Sequence, residues 1–176
     1  MKRLTVIEPY DPNWSLLYAA EERLLRSLLG QELTAIHHIG STSVPAIGFA
    51  KPIIDILAEV KDITFIDLYD EELSLNGYTA RGENGIAGRR YFTKGGADRS
   101  HHLHIFQTGD MHARNHLLFK QYLTAHPEEA DAYGKLKLEL AEKYPDDVKQ
   151  YQEAKESFTA KILDRAIAWG GNRIDH

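Results

Sequence analysis

Lys51-Pro52-Ile53-Ile54-Asp55-Ile56-Leu57-Ala58-Glu59-Val60 is the most apolar run in the chain, and a carboxylate, Asp55, stands inside it. A short, isoleucine-rich run of this kind reads as a central strand covered on both faces, with Pro52 confined to its start. An ionised carboxylate there is costly unless it is paired or holds a cation. Upstream, Thr34 to Ile39 reads as a second strand ending on Gly40-Ser41-Thr42-Ser43, after which Pro45 and Gly48 enforce irregular or short helical structure. Downstream, the spacing predicts a helix over Ile63 to Leu75, closed by Asn76-Gly77. Strands follow over Tyr78–Arg81, Arg89–Lys94 and His101–Gln107, with glycine-rich turns between them.

Helical patterns flank this β region. Leu16, Leu17, Ala20, Leu24 and Leu28 space out an amphipathic helix from about Pro12-Asn13-Trp14 to Leu29, with Gly30 as its stop. Beyond Asp110 the pattern is helical to Trp169, broken at His126-Pro127 and again at Pro145-Asp146-Asp147. The expected fold class is α/β or α+β: a small mixed sheet, an N-terminal helix and a helical C-terminal half. One domain over residues 1–176 is the expectation.

Composition removes several classes of chemistry. The 176 residues include no cysteine, which excludes thiolate nucleophiles, Cys-ligated zinc and iron–sulfur clusters, and points to a cytoplasmic location. No apolar run approaches the ~20 residues of a bilayer helix, so no membrane partner is expected. The start Met1-Lys2-Arg3-Leu4-Thr5-Val6 meets Glu8, Pro9 and Asp11 too soon for a signal peptide. A net charge of −5 argues against a long nucleic acid, whose phosphates need clustered Lys and Arg.

Two constellations carry chemistry. In the first, Gly40 lets backbone approach a phosphate, while Ser41, Thr42 and Ser43 with successive N–H groups can form an anion-binding concavity, and Lys51 can add charge. The same residues also make a plain tight turn, with Asp55 capping nearby backbone. In the second, Arg99-Ser100-His101-His102-Leu103-His104-Ile105-Phe106 puts His102 and His104 on one strand face, where two imidazoles can share a metal ion. Phe106 at the next alternating position leaves a histidine triad incomplete, and the missing second His-x-His copy excludes the two-histidine phosphodiesterase pattern. Arg89, Arg90 and Lys94 either face solvent or, with Lys51, clamp a polyphosphate. His37 or His38 can serve as a base, with only His38 in phase with Gly40, and Glu83 can orient a histidine or bind metal. Tyr133, Lys137, Tyr151 and Lys155 read mainly as packing with snorkelling lysines.

These motifs, in order, resemble the GrpB family. The resemblance runs from Pro9-Tyr10-Asp11-Pro12-Asn13-Trp14 through Ile36–Pro45, Lys51–Ile56, Glu83–Ile86 with Gly88–Phe92, and His101–His104. It continues in the tail at His126-Pro127, Tyr144-Pro145-Asp146-Asp147 and Ala154-Lys155. It implies a polymerase-beta-like nucleotidyltransferase fold, in which Gly40 and Ser41 match the phosphate-holding pair and Asp55 the first metal-binding carboxylate. Leu57 occupies the second carboxylate position, a departure from that pattern. No carboxylate occupies the third strand either, and with His102 and His104 taken to replace the missing carboxylates the expected ligand set is Asp55, His102 and His104. It suits Mn²⁺, Zn²⁺ or Fe²⁺ better than Mg²⁺, with Mn, Zn and Mg all candidates. The expected function is nucleotidyl transfer from a nucleoside triphosphate to an acceptor. A nucleotide-binding module that has lost transfer chemistry, or a His/Asp metal-dependent phosphohydrolase acting on a phosphorylated small molecule, are the alternatives.

Overall fold

The structure, a computed structural model, describes residues 5–171; the start Met1–Leu4, used above to weigh a signal peptide, lies outside them. In chain order the elements are β1 (Glu8–Pro9), α1 (Asn13–Leu29), β2 (Leu33–Ile39), β3 (Phe49–Ala50) and β4 (Ile54–Val60). Then come α2 (Asp70–Leu75), β5 (Tyr78–Ala80), β6 (Arg90–Lys94), β7 (His101–Gln107), α3 (Met111–Ala125), α4 (Pro127–Lys143) and α5 (Val148–Gly171). Short 3-10 turns cover Ser41–Ser43 and Pro45–Ile47.

Five strands form one mixed sheet in the order β2-β4-β7-β6-β5, and β1 pairs with β3 in a separate ribbon. β4 and β7 are parallel, which forces a crossover through residues 61–100, while the remaining neighbours are antiparallel. The expected α/β architecture with a helical C-terminal half is therefore what the chain adopts.

Period-two alternation along β4 sorts its side chains. Ile54, Ile56, Ala58 and Val60 face α1 and pack with Trp14, Leu25, Leu29, Leu103 and Ile105 in the main core. Each fully buried Leu, Ile or Val contributes roughly 1.5–3 kcal/mol, so this face anchors the sheet. The other face carries Asp55, Leu57 and Glu59. Leu57, fully buried, joins Ile39, Phe106 and Ala113 beneath α3.

Two local expectations need correction. Ile63 to Leu75 is not one α-helix: Ile63–Tyr69 is 3-10, and only Asp70–Leu75 is α-helical. Asp62 accepts from both the backbone N–H and the hydroxyl of Thr64, which favours a tight turn over an open helical start. The central strand begins at Ile54, because Ile53 N–H turns back to the Lys51 carbonyl beside Pro52.

The C-terminal helices close over the Asp55 side. A Cβ at Gly134 would fall 1.8 Å from the Ile47 carbonyl oxygen, so α4 lies directly on the Pro45–Ile47 turn. Among the described residues no helix is long and apolar enough to cross a membrane.

Candidate functional site

Asp55 is the centre of the site. Its Oδ1 accepts from His102 Nδ1 at 3.2 Å and His104 Nε2 at 3.4 Å, both rings projecting from β7 alongside it. The parallel register sets Asp55 opposite His102 and Leu57 opposite His104, which puts all four side chains on one face. Burial alone would raise the Asp55 carboxyl, but the two imidazole hydrogen bonds outweigh it and hold the group well below the ordinary carboxylate range. Asp55 is therefore ionised, with its side chain 28% exposed.

The turn after β2 is built against this carboxylate. Gly40 has φ +73°, and a Cβ there would stand 2.7 Å from Asp55 Oδ2. Both facts demand glycine, so its first service is to admit the carboxylate as well as any phosphate. The three hydroxyls that follow have separate partners. Thr42 Oγ1 bonds His38 Nε2 at 2.9 Å, Ser43 Oγ donates to the Gly40 carbonyl at 2.6 Å, and Ser41 bonds the Tyr133 hydroxyl. Thr42 and Ser43 thus shape the turn through their side chains, in line with the tight-turn alternative.

Above the turn stand three lysines on two tyrosine rings. Lys137 Nζ lies 4.8 Å from the Tyr133 ring centroid, and Lys51 and Lys155 lie 4.7 and 5.6 Å from that of Tyr151. Lys137 is 3% exposed. Burial, then the charge of Lys155, with Lys51 behind it, push its pKa down to about 7 against the opposing pull of Asp55. Burial likewise lowers Lys155, with Asp55 again opposing. Among the described residues neither Lys137 nor Lys155 has a carboxylate within ion-pair distance. The reading of these residues as packing holds for Tyr133 and Tyr151, both buried, whereas the buried Lys137 does not snorkel out to water.

Two further expectations change. His38 stands opposite Ile56 in the register, on the α1 face, stacked on Tyr18 with ring centroids 4.8 Å apart. Burial and the neighbouring Lys120 lower its pKa to about 4, against Asp55. It thus stands on the other face of the sheet from the Asp55 side chain, bonded to Thr42. Arg90, opposite Ile105, also belongs to the α1 face, and pairs with Asp67 at 2.7 Å. Lys94 reaches the buried Glu21 on that side too. Arg89, by contrast, reaches the Asp55 side.

Arg89 Nη1 contacts His104 Nδ1 at 3.4 Å, its other nitrogens donate to the carbonyls of Glu83 and Asn84, and it lies over Tyr91. A guanidinium is only a donor, so His104 Nδ1 is the acceptor and the neutral ring carries its proton on Nε2, aimed at Asp55. That arrangement tests the expected metal set. Asp55 fits a cation, being ionised with an Oδ2 that accepts no side-chain hydrogen bond among the described residues. His104 does not fit, because a ligating Nε2 would turn an Nδ1–H onto Arg89, the reverse of the usual acceptor behind a metal-bound histidine. His102 directs Nδ1 at Oδ1, while its Nε2 is buried without a partner. Among the described residues no group of three or more His, Asp or Glu side chains is arranged to hold a metal.

Beside Asp55 a cavity of about 430 Å³ opens between the end of β2, α3 and α5, with Gly40, Asp55, His104, Asn115, His116 and Phe119 in its walls. Burial, with His104 and against Asp55, lowers His116 to about 4, so its ring is neutral at pH 7.

With this geometry in view, comparison with known proteins is specific. The profile of the family described as GrpB protein matches residues 5–165. The protein YqkA of Bacillus subtilis is 45% identical over 98% of this chain, which spans half of YqkA's length. The crystal structure of the conserved protein GrpB from Enterococcus faecalis superposes with a TM-score of 0.88 at 39% identity, covering 93% of this chain and 98% of that one. The Cid1 poly(U) polymerase, solved with MgGTP bound, gives a TM-score of 0.54 at 17% identity over 77% of this chain and 44% of its own, a likeness of fold.

Proposed function

The chain belongs to the GrpB family, and from that premise we propose that it binds a nucleoside triphosphate beside Gly40 and Ser41 and transfers its nucleotidyl group to an acceptor. The observation that carries this reading is the convergence of Lys51, Lys137 and Lys155 on the end of the sheet where Ser41 and Asp55 stand. A cluster of lysines, one of them buried, is unfavourable by itself and is relieved by a polyanion. The nucleotidyltransferase-like fold supports the same reading.

In this mechanism Ser41 and the lysines hold the β- and γ-phosphates, and Asp55 faces the α-phosphate. A divalent ion would be held by Asp55 together with phosphate oxygens, the habit of Mg²⁺ and one open to Mn²⁺, and would supply charge neutralisation there. An acceptor hydroxyl oxygen forms the new bond to the α-phosphorus as the bond to the bridging oxygen breaks. Pyrophosphate leaves with the electron pair, and the acceptor proton passes to water. Arg89 and His104 orient Asp55, and the lysines neutralise the leaving group.

Pyrophosphate release from each of the four ribonucleoside triphosphates, with Mg²⁺ or Mn²⁺ and a panel of hydroxyl acceptors, tests the reading. Release by the native protein and its loss in Asp55→Asn is the expected result. A second reading, binding without transfer, is favoured by one observation: Leu57 occupies the second carboxylate position and is fully buried. Tight triphosphate binding with no pyrophosphate under any condition selects it.

A further inference from the structure

The cavity between α3, α5 and the sheet adjoins the proposed phosphate site and shares Gly40 and Asp55 with it. Its remaining walls differ in character from the lysine cluster. Phe119 and the imidazoles of His104 and His116 present aromatic surfaces, and the Asn115 amide offers both a donor and an acceptor. Aromatic faces stack on heterocyclic bases without regard to sequence, while an amide can read a base edge. A volume of about 430 Å³ suits one small molecule and not a run of nucleotides.

We infer that this cavity receives the nucleoside moiety, a sugar bearing a heteroaromatic base, of the ligand whose phosphates lie at Ser41 and the lysines. The inference rests on the phosphate reading above and adds where the uncharged half of the ligand goes. Asp55 joins the two regions: it stands between the cationic cluster, whose field reaches it, and the aromatic cavity, which it lines. A nucleoside triphosphate has the same order of parts, with the α-phosphate between its polyanion and its ring system.

The experiment compares two probes, inorganic tripolyphosphate and a nucleoside triphosphate, by calorimetric titration in the presence of Mg²⁺. Ala160, at the exposed rim of the cavity on α5, is replaced in Ala160→Trp to fill it; Thr159→Phe fills it from an adjacent position should the first variant fail to fold. Thermal melting checks that each variant is folded. The expected result is a loss of roughly tenfold or more in affinity for the nucleoside triphosphate, with tripolyphosphate affinity within about twofold of the native value. Equal affinities of the native and filled proteins for the nucleoside triphosphate overturn the inference and leave the phosphate reading standing. Equal losses for both probes also overturn it, since the cavity would then act on the phosphates. Failure of the native protein to bind either probe overturns the phosphate reading, and this inference with it.

Discussion

Arg89 and His104 meet at 3.4 Å, Nη1 to Nδ1, and this one contact fixes the direction of every hydrogen bond from the arginine to Asp55. With Nδ1 accepting, Nε2 donates to the carboxylate. Replacing the guanidinium in Arg89→Met releases that choice. The long-range ¹⁵N–¹H spectrum of the native protein should show His104 protonated on Nε2, and the variant should show mixed tautomers. A native spectrum with the proton on Nδ1 refutes the assignment. The variant should also lose about 1–3 kcal/mol in denaturant unfolding, because Arg89 caps the Glu83 and Asn84 carbonyls.

Lys137 gives the proposed anion site a pH dependence of definite sign. With its pKa at about 7 in the free protein, half its population is charged near neutrality. A bound polyphosphate raises that pKa, so binding takes up a proton as pH rises above about 7 and affinity falls over that window. Tripolyphosphate titrations from pH 6.5 to 9, in buffers of different ionisation enthalpy, should register the uptake. Lys137→Met should weaken binding and flatten the profile; an unchanged slope in that variant would remove Lys137 from the site.

Leu57→Asp places an acid where the resemblance to nucleotidyltransferases implies a second carboxylate, yet it is expected to damage this protein. The residue is wholly buried among Ile39, Phe106 and Ala113, so a carboxylate there has no water and no prepared partner. A loss of roughly 3 kcal/mol or more in denaturant unfolding is expected, with no gain in pyrophosphate release. Enhanced release from a stable variant would contradict this packing argument.

Acid should destabilise the fold through His38. Burial holds its folded pKa at about 4, below the unfolded value of about 6.5, so the unfolded chain binds the proton first. The contribution is complete above about pH 6.5 and is lost as pH falls toward 4, amounting to about 2 kcal/mol by pH 5. His38→Gln should make the pH 7-to-5 decline in Tm shallower than in the native protein. His116, lowered in the same way, contributes to the same window and should leave part of the slope in place.

Much of this fold was legible because its strands alternate and its helices keep regular spacing. Asp55, Gly40, His102 and His104 were identifiable as a group because each breaks an otherwise apolar pattern. For His38 and the two arginines the difference lies in how strands present their faces. Whether His38 or Ile39 shares a face with Asp55 depends on how two strands 15 residues apart slide past each other, and Ile39 is the one opposite Asp55. Arg89 and Arg90 are neighbours in sequence and stand on opposite faces of the sheet, one at His104 and the other at Asp67. Lys137 and Lys155 looked like snorkelling residues because their helices are amphipathic. Only the docking of those helices on the sheet turns the two amines toward Ser41 and Asp55 instead of solvent.

Gly134 packed on the Ile47 carbonyl has a mechanical meaning. With no side chain between them, α4 and the Pro45–Ile47 turn share a van der Waals surface at backbone level, leaving no slack for rotation or sliding. Tyr133 and Lys137 are therefore indexed to Ser41 as teeth are to a gear, whereas Lys155 rides on a separate helix. The lysines of the cationic cluster are thus held from three parts of the chain, Lys137 on α4, Lys155 on α5 and Lys51 ahead of β4. Tolerance for variation should divide the same way, strict along the α4 contact and relaxed along the outer surface of α5.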